Sequence, residues 1–287
     1  MTSESALPRT TPVWREVVPG EPLVTFRDVR IAFDEGEILR GISFSVLPGE
    51  TKVLLGVSGA GKTVLMKLAA GLLRPDEGEI RVMGHEVAQM PERELLDFRR
   101  HIGFVFQEGA LFDSMTVGEN VSFRLREEEL PEQDVETRTR EALRFVELDA
   151  TYDKVPSELS GGMRRRVSIA RALIDHPALL FCDSPTAGLD PVTSQTIINL
   201  IMRGRDTQGV TTMLATHRVQ DAFGLANYRF DSAEGRVVHA GNGAGGPASP
   251  PTNVLVLRDG EIYFEGSAEQ MLEATDDYLM KFLTSAE

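Results

Sequence analysis

The chain has 287 residues, a formal net charge of −14 and a single cysteine, Cys182. A chain of this length can bury a core large enough to fold without disulfides, and its acidic charge argues against nucleic acid as the main partner, because phosphate binding needs basic surface. The sequence has no run of about 18 apolar residues and no basic N-terminal segment followed by an apolar stretch, so we expect neither a membrane span nor a standard secretion signal.

The N-terminal part of the chain changes character near residue 23. Residues 1–22 are polar, contain proline and show no hydrophobic periodicity, which predicts a flexible tail ahead of a single domain over 23–287. From Leu23 to Val46, three β-prone runs (LVTF, VRIAF and ISFSV) alternate with Asp-Glu-Gly and Arg-Gly breaks. This pattern predicts antiparallel strands that lead into the next motif.

The segment GVSGAGKT, residues 56–63, joins an apolar run to a helix with an apolar stripe. Its glycines allow backbone turns that side chains would block, so consecutive N–H groups face one concavity at a helix N-terminus and hold phosphates. Lys62 supplies a cation to the β and γ phosphates, and the Thr63 hydroxyl ligates Mg²⁺. The pattern predicts a nucleoside triphosphate site. Its residues are Gly56, Ser58, Gly59, Ala60, Gly61, Lys62 and Thr63.

Strand and helix patterns alternate after this site. Residues 77–84 and 101–107 predict strands on either side of a short helix. One later apolar run ends at Asp183 and another at His217, as expected for parallel strands buried on both faces. Polar side chains at the ends of parallel strands predict an α/β fold with its ligand at that edge of the sheet.

The remaining segments complete this plan. Residues 125–150 carry an apolar stripe at helical spacing, and a further helix begins after LSGG at 159–162. Residues 231–252 are rich in Gly, Ala, Ser and Pro, which predicts a flexible insertion loop. A hairpin over 254–266 and a capped C-terminal helix follow.

Five motifs occur in a fixed order: the phosphate loop, Gln107, LSGG followed by Met163, Asp183 followed by AGLD at 187–190, and His217. In this combination the chain resembles the ATP-binding subunit of an ABC transporter over residues 23 to 285. The resemblance implies an α/β fold with a P-loop NTPase core and mostly parallel sheet, an antiparallel β subdomain and a helical subdomain. The helical subdomain would span residues 108 to 175.

The resemblance also implies roles for the motifs and identifies the ligands as ATP and Mg²⁺. Gln107 couples Mg²⁺ and the attacking water to the membrane partner, and His217 is the switch histidine. The implied catalytic residues are Gln107, Asp183, Ser184 and His217. The implied metal ligands are Thr63, Gln107 and Asp183. Phe33 is expected against the adenine ring; the alternative is that it fills the core of the N-terminal sheet.

The LSGG turn at a helix start is a second anion-binding surface in a chain that already has one phosphate loop. In the family that this chain resembles, this second surface covers the γ-phosphate bound to the other subunit. The resemblance therefore implies a head-to-tail dimer that holds two ATP molecules between its subunits. The residues implied to contact the partner's nucleotide or cross the interface are Ser160, Gly161, Gly162 and Asp190.

A narrower resemblance rests on residues 106–127 and 157–173. With Met163 and the GALFDSMTV stretch, these segments look like the ATPases of Mla/Mce-type lipid transporters. That resemblance implies a peripheral protein on the cytoplasmic face of the inner membrane, a permease that contacts region 107–121, and an Mce-type substrate-binding protein reached through the permease. Phe112, Met115 and Val117 are candidate permease contacts; the alternative is that they pack within the helical subdomain.

The chain departs from the family at Ser184, where a glutamate normally polarises the attacking water, and at Arg218, where the family usually has aspartate. Serine cannot serve as a carboxylate base, and the loss of positioning costs roughly 10²- to 10⁴-fold in rate. The protein is then a slow ATPase, a subunit that pairs with a glutamate-bearing partner, or a sequence altered to trap ATP. Glutamine is the usual trapping substitution, which weakens the third explanation.

Three functions are therefore compatible with the sequence. The first is an ATP-driven motor subunit of a membrane transporter, with lipids as the cargo. The second is a nucleotide-gated clamp in which ATP-dependent dimerisation alone has the regulatory effect, as Ser184 suggests. The third is an ABC-type ATPase of DNA repair or translation, which the acidic charge and the lack of long coiled-coil insertions or a tandem ATPase unit disfavour.

Overall fold

A computed structural model of the protein describes residues 20–34, 36–128, 130–241 and 251–284. The predicted tail lies outside the described residues except for 20–22, and so does the stretch 242–250 of the predicted insertion. Among the helices in the described ranges, none combines the length and the apolar composition that crossing a bilayer requires.

Strands and helices alternate along most of the chain, as expected for an α/β protein. In the described ranges the strands are β1 (Val24–Phe33), β2 (Gly36–Val46), β3 (Thr51–Leu55), β4 (Glu77–Val82), β5 (His85–Glu86), β6 (Ile102–Val105), β7 (Leu179–Asp183), β8 (Thr211–Thr216), β9 (Tyr228–Asp231), β10 (Arg236–His239), β11 (Thr252–Arg258) and β12 (Glu261–Ser267). The helices are α1 (Lys62–Ala69), α2 (Glu92–Arg99), α3 (Val117–Glu127), α4 (Glu132–Phe145), α5 (Gly161–Leu173), α6 (Pro191–Gln208), α7 (Val219–Asn227), α8 (Ala268–Glu273) and α9 (Asp277–Thr284).

The central sheet has the strand order β12-β11-β3-β8-β7-β6. Neighbouring strands are parallel except β12, which pairs antiparallel with β11. Successive side chains of β3 enter different cores, since Val53 and Leu55 pack on one face of the sheet and Leu54 on the other. Because both faces are covered, the buried strands are continuous apolar runs, and the predicted parallel α/β core is confirmed.

A second sheet is antiparallel, with the order β2-β1-β4-β5. Phe26 and Phe44 stack across its first two strands with ring centroids 4.7 Å apart. The three β-prone runs form only two strands, because the first two, LVTF and VRIAF, both belong to β1. The predicted break at Arg40 and Gly41 does not end a strand either, since it lies inside β2. Gly41 adopts φ 78° there, and the β1–β2 register shifts without ending the pairing.

Helices α3, α4 and α5 form the helical part of the molecule and share one core. Val121 of α3, Val135 of α4 and Val167 of α5 are fully buried in it. Helix α3 was not predicted from periodicity. It begins with a capping box, in which Thr116 Oγ1 accepts from Glu119 N and the Glu119 carboxylate accepts from Thr116 N. The T-x-x-E spacing in the sequence was the available signal.

The prediction that residues 231–252 form a loop is wrong for 236–239. Strand β10 pairs antiparallel with β9, and Gly235 turns the chain between them with φ 65° while its N–H donates to Asp231 O. Arg236–His239 contains two adjacent valines, which favour a strand. The Gly, Ala, Ser and Pro of residues 240–251 dominate the composition of the window and conceal this short strand.

Arg205, near the end of α6, connects this hairpin to the central sheet. It is 1% exposed and makes a bidentate pair with Asp206 at 2.7 and 3.1 Å. The guanidinium also donates to Leu225 O at 2.7 Å and to Tyr228 O at 3.1 Å. The Asp206 carboxylate accepts from Phe230 N at 2.6 Å, so the pair fixes the start of β9 against α6.

Replacing Arg205 with methionine is expected to lower the free energy of unfolding by about 3–5 kcal/mol, because the buried Asp206 carboxylate loses its partner. Denaturant unfolding of Arg205→Met measures the change. Arg236→Met is the control, because the Arg236 side chain is 71% exposed. A loss in Arg205→Met of less than about 0.5 kcal/mol, the range of ordinary surface substitutions, would contradict the assigned role.

Candidate nucleotide-binding site

An open cleft of about 650 Å³ lies at the edge of the central sheet where β3, β7 and β8 end. Small-molecule sites range from about 300 to 1,000 Å³, so this cleft has room for a nucleotide. Side chains from several separate segments line it. They are Phe33, Ile38, residues 57–64, Gln107, Ser184, Ala187 and His217.

The phosphate loop, residues 56–61, connects β3 to α1. Gly61 is the N-cap of α1 and adopts φ 96°, and a Cβ atom there would lie 2.6 Å from Leu39 Cδ2. A larger residue would therefore be strained and would collide with the antiparallel sheet. The glycine lets the loop turn sharply into the helix, which leaves the first N–H groups of α1 pointing toward the cleft as a phosphate cradle.

The Lys62 side chain folds back and hydrogen-bonds to the backbone of the phosphate loop. Its Nζ donates to Gly56 O at 2.7 Å and to Val57 O at 2.9 Å. Burial lowers the pKa of the Lys62 ammonium, and the Asp183 carboxylate opposes this shift. The ammonium group thus lies inside the loop, next to the position at which phosphate oxygens would bind.

Thr63 and Asp183 form a candidate metal site. Thr63 Oγ1 donates to Asp183 Oδ2 at 2.8 Å, which joins the start of α1 to the end of β7. In the described part of the chain, no three His, Cys, Asp or Glu side chains cluster to hold a metal. This donor set fits Mg²⁺, which is held by one or two carboxylates together with substrate phosphates and water. Gln107 lines the same cleft.

Ser184 follows Asp183 and has an unusual backbone. Its φ is 48°, and its N–H donates to Ala215 O of β8 at 2.9 Å. The hydroxyl lies 3.3 Å from Asp183 Oδ1. Ser184 therefore lines the cleft, where the family has a glutamate that polarises the attacking water, and it offers a hydroxyl instead of a carboxylate.

Phe33 lies at the mouth of the cleft and is 46% exposed. The alternative that its ring fills the core of the antiparallel sheet is therefore wrong. Val57, which is 54% exposed, lines the same mouth. Stacking of Phe33 on the adenine ring stays a prediction.

The predicted second anion-binding surface, at residues 160–162, is separate from this cleft. Ser160 caps α5 by accepting from Met163 N at 3.2 Å, and Asp190 caps α6 by accepting from Thr193 N at 3.0 Å. Hydrogen bonds from Thr193 hold the pKa of Asp190 below its usual value. A Cβ atom on Gly162 would lie 2.4 Å from Thr193 Cγ2, so the starts of the two helices are in contact. None of the predicted residues Ser160, Gly161, Gly162 and Asp190 lines the subunit's own cleft.

The comparison with known families decides the identity of this fold and its motifs. The sequence model of the ABC transporter family matches residues 39–187. The chain belongs to the ABC transporter ATP-binding family. A dimeric structure of the ATP-binding cassette MJ0796, in a post-hydrolysis state bound to ADP and Pi, superimposes with a TM-score of 0.71 and 27% identity. That alignment covers 85% of this chain and 98% of the other. The predicted ABC ATPase fold is confirmed.

Two curated relatives differ in what they transport. The intermembrane phospholipid transport system ATP-binding protein MlaF of Haemophilus influenzae is 32% identical over 256 residues, which are 88% of this chain and 88% of the relative. The methionine import ATP-binding protein MetN of Corynebacterium jeikeium is 35% identical over 223 residues, which are 76% of this chain. The matched region spans only 61% of the length of that MetN protein.

ABC ATPase domains bind ATP with Mg²⁺, and the cleft of this ABC protein has the parts that these ligands need. The glycine cradle and Lys62 would hold the phosphates, and the Thr63–Asp183 pair would hold the metal. The prediction of ATP and Mg²⁺ as ligands is thus confirmed.

Sequence reasoning missed two buried residues that support the site of this ABC subunit. Arg165 of α5 donates to Phe106 O at 3.1 Å and reaches Ser184 O at 3.5 Å; its burial lowers the pKa of its guanidinium. Asp221 of α7 accepts from Thr216 at 2.7 Å. For Asp221 the available signal was a charged residue in a largely apolar helix, four positions after His217.

Proposed function

We propose that this ABC ATP-binding subunit hydrolyses ATP as part of a dimer and thereby drives a membrane permease. The separation of the two anion-binding surfaces carries the proposal. Among the described residues, the open cleft of one subunit is lined by the phosphate loop but not by Ser160, Gly161 or Gly162, and the Ser160 surface is exposed outside that cleft. Two head-to-tail copies supply both parts to each ATP. The dimeric MJ0796 cassette supports this arrangement.

The residues of the cleft divide the work of phosphoryl transfer between them. The phosphate loop and Lys62 would hold the phosphates, and Thr63 and Asp183 would hold Mg²⁺, which would neutralise charge on the phosphate oxygens. Gln107 and His217 line the cleft from two different loops. In this proposal they orient the water and the γ-phosphate. Ser184 contributes a hydroxyl, so the orientation of the water rests on Gln107 and His217.

The segment 107–121 is proposed to bind the permease. Asn120 stiffens it, since its side chain accepts from Phe112 N at 2.8 Å and donates to Phe112 O at 3.0 Å. Phe112 is 44% exposed, and its ring centroid lies 5.0 Å from that of Phe123. This rigid turn therefore presents an aromatic ring to solvent. Val117, another candidate contact, is fully buried and packs within the helical part of the molecule. The expectation that Val117 contacts the permease is therefore wrong.

Lipids are the proposed cargo, delivered through an Mce-type substrate-binding protein that contacts the permease. The MlaF alignment covers 88% of both chains, whereas the MetN alignment leaves more than a third of that relative unmatched. Met163 and the stretch 109–117 support the same choice. In this proposal the subunit is bound peripherally to the cytoplasmic face of the inner membrane. Co-purification of a permease together with phospholipid supports a lipid cargo, and methionine-dependent ATPase activity would contradict it.

The second candidate function is a nucleotide-gated clamp that binds ATP and dimerises without turnover. Ser184 favours it, because no carboxylate replaces the missing glutamate at that position. The two functions share the dimer and differ in the chemical step. Retention of intact ATP by the complete complex would support the clamp.

Replacing Ser160 with arginine is expected to abolish ATP-driven dimerisation, because the longer cation fills the surface that would cover the partner's γ-phosphate. Affinity of the monomer for ATP should stay within about twofold, since Ser160 is outside the cleft. Light scattering with and without ATP measures the dimer, and calorimetry measures binding.

Two controls separate the interface effect from helix capping. Ser160→Ala removes the cap of α5, which is worth about 0.5–2 kcal/mol, without adding bulk. Ser232→Arg adds the same side chain to an exposed position of the β9–β10 turn. If Ser160→Arg dimerises at the same ATP concentration as the unmodified protein, the sandwich arrangement is refuted.

A further inference from the structure

We infer that Arg218 and Asp221 are positioning residues that hold His217 to the start of α6, so that the two move as one unit. The inference rests on the proposed function in one respect: Asp190, at the start of α6, must face the second subunit. Closure of the dimer would then reach His217 of the same subunit through these two side chains. The contacts that carry this inference come from four segments of the chain.

Asp221 joins the ends of two neighbouring strands. It is 3% exposed, and its Oδ2 accepts from Thr216 Oγ1 at 2.7 Å and from Thr186 Oγ1 at 2.6 Å. Thr216 ends β8 just before His217, and Thr186 lies in the turn that follows Ser184. A buried carboxylate that accepts two hydroxyl bonds is costly to disturb, because each lost bond leaves a polar group without water.

Arg218 extends this network to α6. Its N–H donates to Thr216 Oγ1 at 3.0 Å, its Nη1 donates to Ser194 Oγ at 2.9 Å, and its Nε lies 3.7 Å from Asp221 Oδ1. Ser194 is in the first turn of α6, where its N–H donates to Asp190 O at 2.9 Å. The arginine therefore bridges the residue next to His217 and the turn next to Asp190.

The position of His217 follows from this network. Its two chain neighbours, Thr216 and Arg218, are both hydrogen-bonded, so the backbone of His217 is held from both sides. The imidazole enters the cleft, where it would meet the γ-phosphate. A shift of the α6 start changes the Ser194–Arg218 contact and moves His217 with it. An aspartate at position 218 could not make this bridge, because it is shorter and would face the Asp221 carboxylate.

The first test compares the unmodified protein with single variants, all as monomers and without ATP turnover. The His217 ring signals are assigned by their loss in His217→Gln and then compared among variants by NMR. Ser194→Ala and Arg218→Gln should shift and broaden the His217 signals, and Arg218→Lys should restore them in part because it keeps a donor. Arg236→Gln is the control, since its side chain is 71% exposed. Unchanged His217 signals in both Ser194→Ala and Arg218→Gln would overturn the inference.

The second test measures coupling in the dimer. Ser194→Ala and Arg218→Gln should each shorten the lifetime of the ATP-bound dimer about tenfold, while ATP affinity of the monomer is retained. The double variant should be no worse than the more affected single variant, because both substitutions remove the same Ser194–Arg218 hydrogen bond. Additive effects in the double variant would overturn the inference. If the unmodified chain does not dimerise with ATP, the proposed function is refuted, and with it the transmission from the dimer interface to His217. The first test decides the Ser194–Arg218 coupling separately, because it does not need the dimer.

Discussion

Replacing Ser184 with glutamate is expected to raise ATP turnover by the complete complex about 10²- to 10⁴-fold, the usual contribution of a positioned acid or base. Ser184 lines an open cleft, so the longer side chain can reach a water beside the γ-phosphate without displacing core residues. Steady-state hydrolysis by the native and variant complexes measures the change.

Ser184→Gln is the matched control, because glutamine has the shape of glutamate but cannot accept the proton. A gain in Ser184→Glu that is absent in Ser184→Gln assigns the effect to the carboxylate, and native protein that only binds ATP is then a clamp or a half-site. If the native complex turns over rapidly and Ser184→Glu changes little, the expectation is wrong. In that case Gln107 and His217 orient the water well enough for rapid turnover without a carboxylate, and the motor function holds.

Replacing Lys62 with alanine is expected to weaken ATP binding by at least about 30-fold, since loss of a buried charged hydrogen-bond donor costs roughly 2–5 kcal/mol. Two effects add: the phosphates lose a cation, and the carbonyls of Gly56 and Val57 lose their donor. Calorimetric titration with ATP and Mg²⁺ measures the affinity.

Lys67→Ala provides the comparison for this variant. Lys67 lies on the same helix α1 and is exposed, so the substitution removes an equal charge at a distance from the phosphate loop. Weakened binding in Lys62→Ala but not in Lys67→Ala would locate the effect in the loop. Unchanged affinity in Lys62→Ala would refute the assignment of the phosphate site.

Much of the fold and of the nucleotide cleft was predictable from the sequence, because both depend on local patterns. The apolar run that ends at Asp183 is a parallel strand since both of its faces are buried, and the hairpin turn at Asp259 and Gly260 has the positive φ angles of 51° and 82° that this turn type requires. The glycine pattern of the loop 56–61 is itself the signal for a phosphate-binding turn, so the sequence predicts this loop between a strand and a helix.

The features that the sequence did not predict depend on contacts between distant segments. For Val117 the sequence left two possibilities open, permease contact or packing within the helical subdomain, and only the structure shows that α3 turns it into the core with Val121. The role of Arg205 requires that the ends of α6, α7 and β9 meet, which no local pattern specifies. The same holds for Asp221, whose two hydroxyl partners come from different strand ends.

The bonds of Lys62 within its own loop have a consequence for ligand selection. The ammonium group already has two carbonyl acceptors, at 2.7 and 2.9 Å, before any ligand arrives. Two of its three N–H groups are thus occupied, and the third is left for a ligand oxygen. Anionic oxygens attract the ammonium more strongly than carbonyls do. The loop thus leaves one charged donor for the ligand, which favours polyphosphates over uncharged nucleosides.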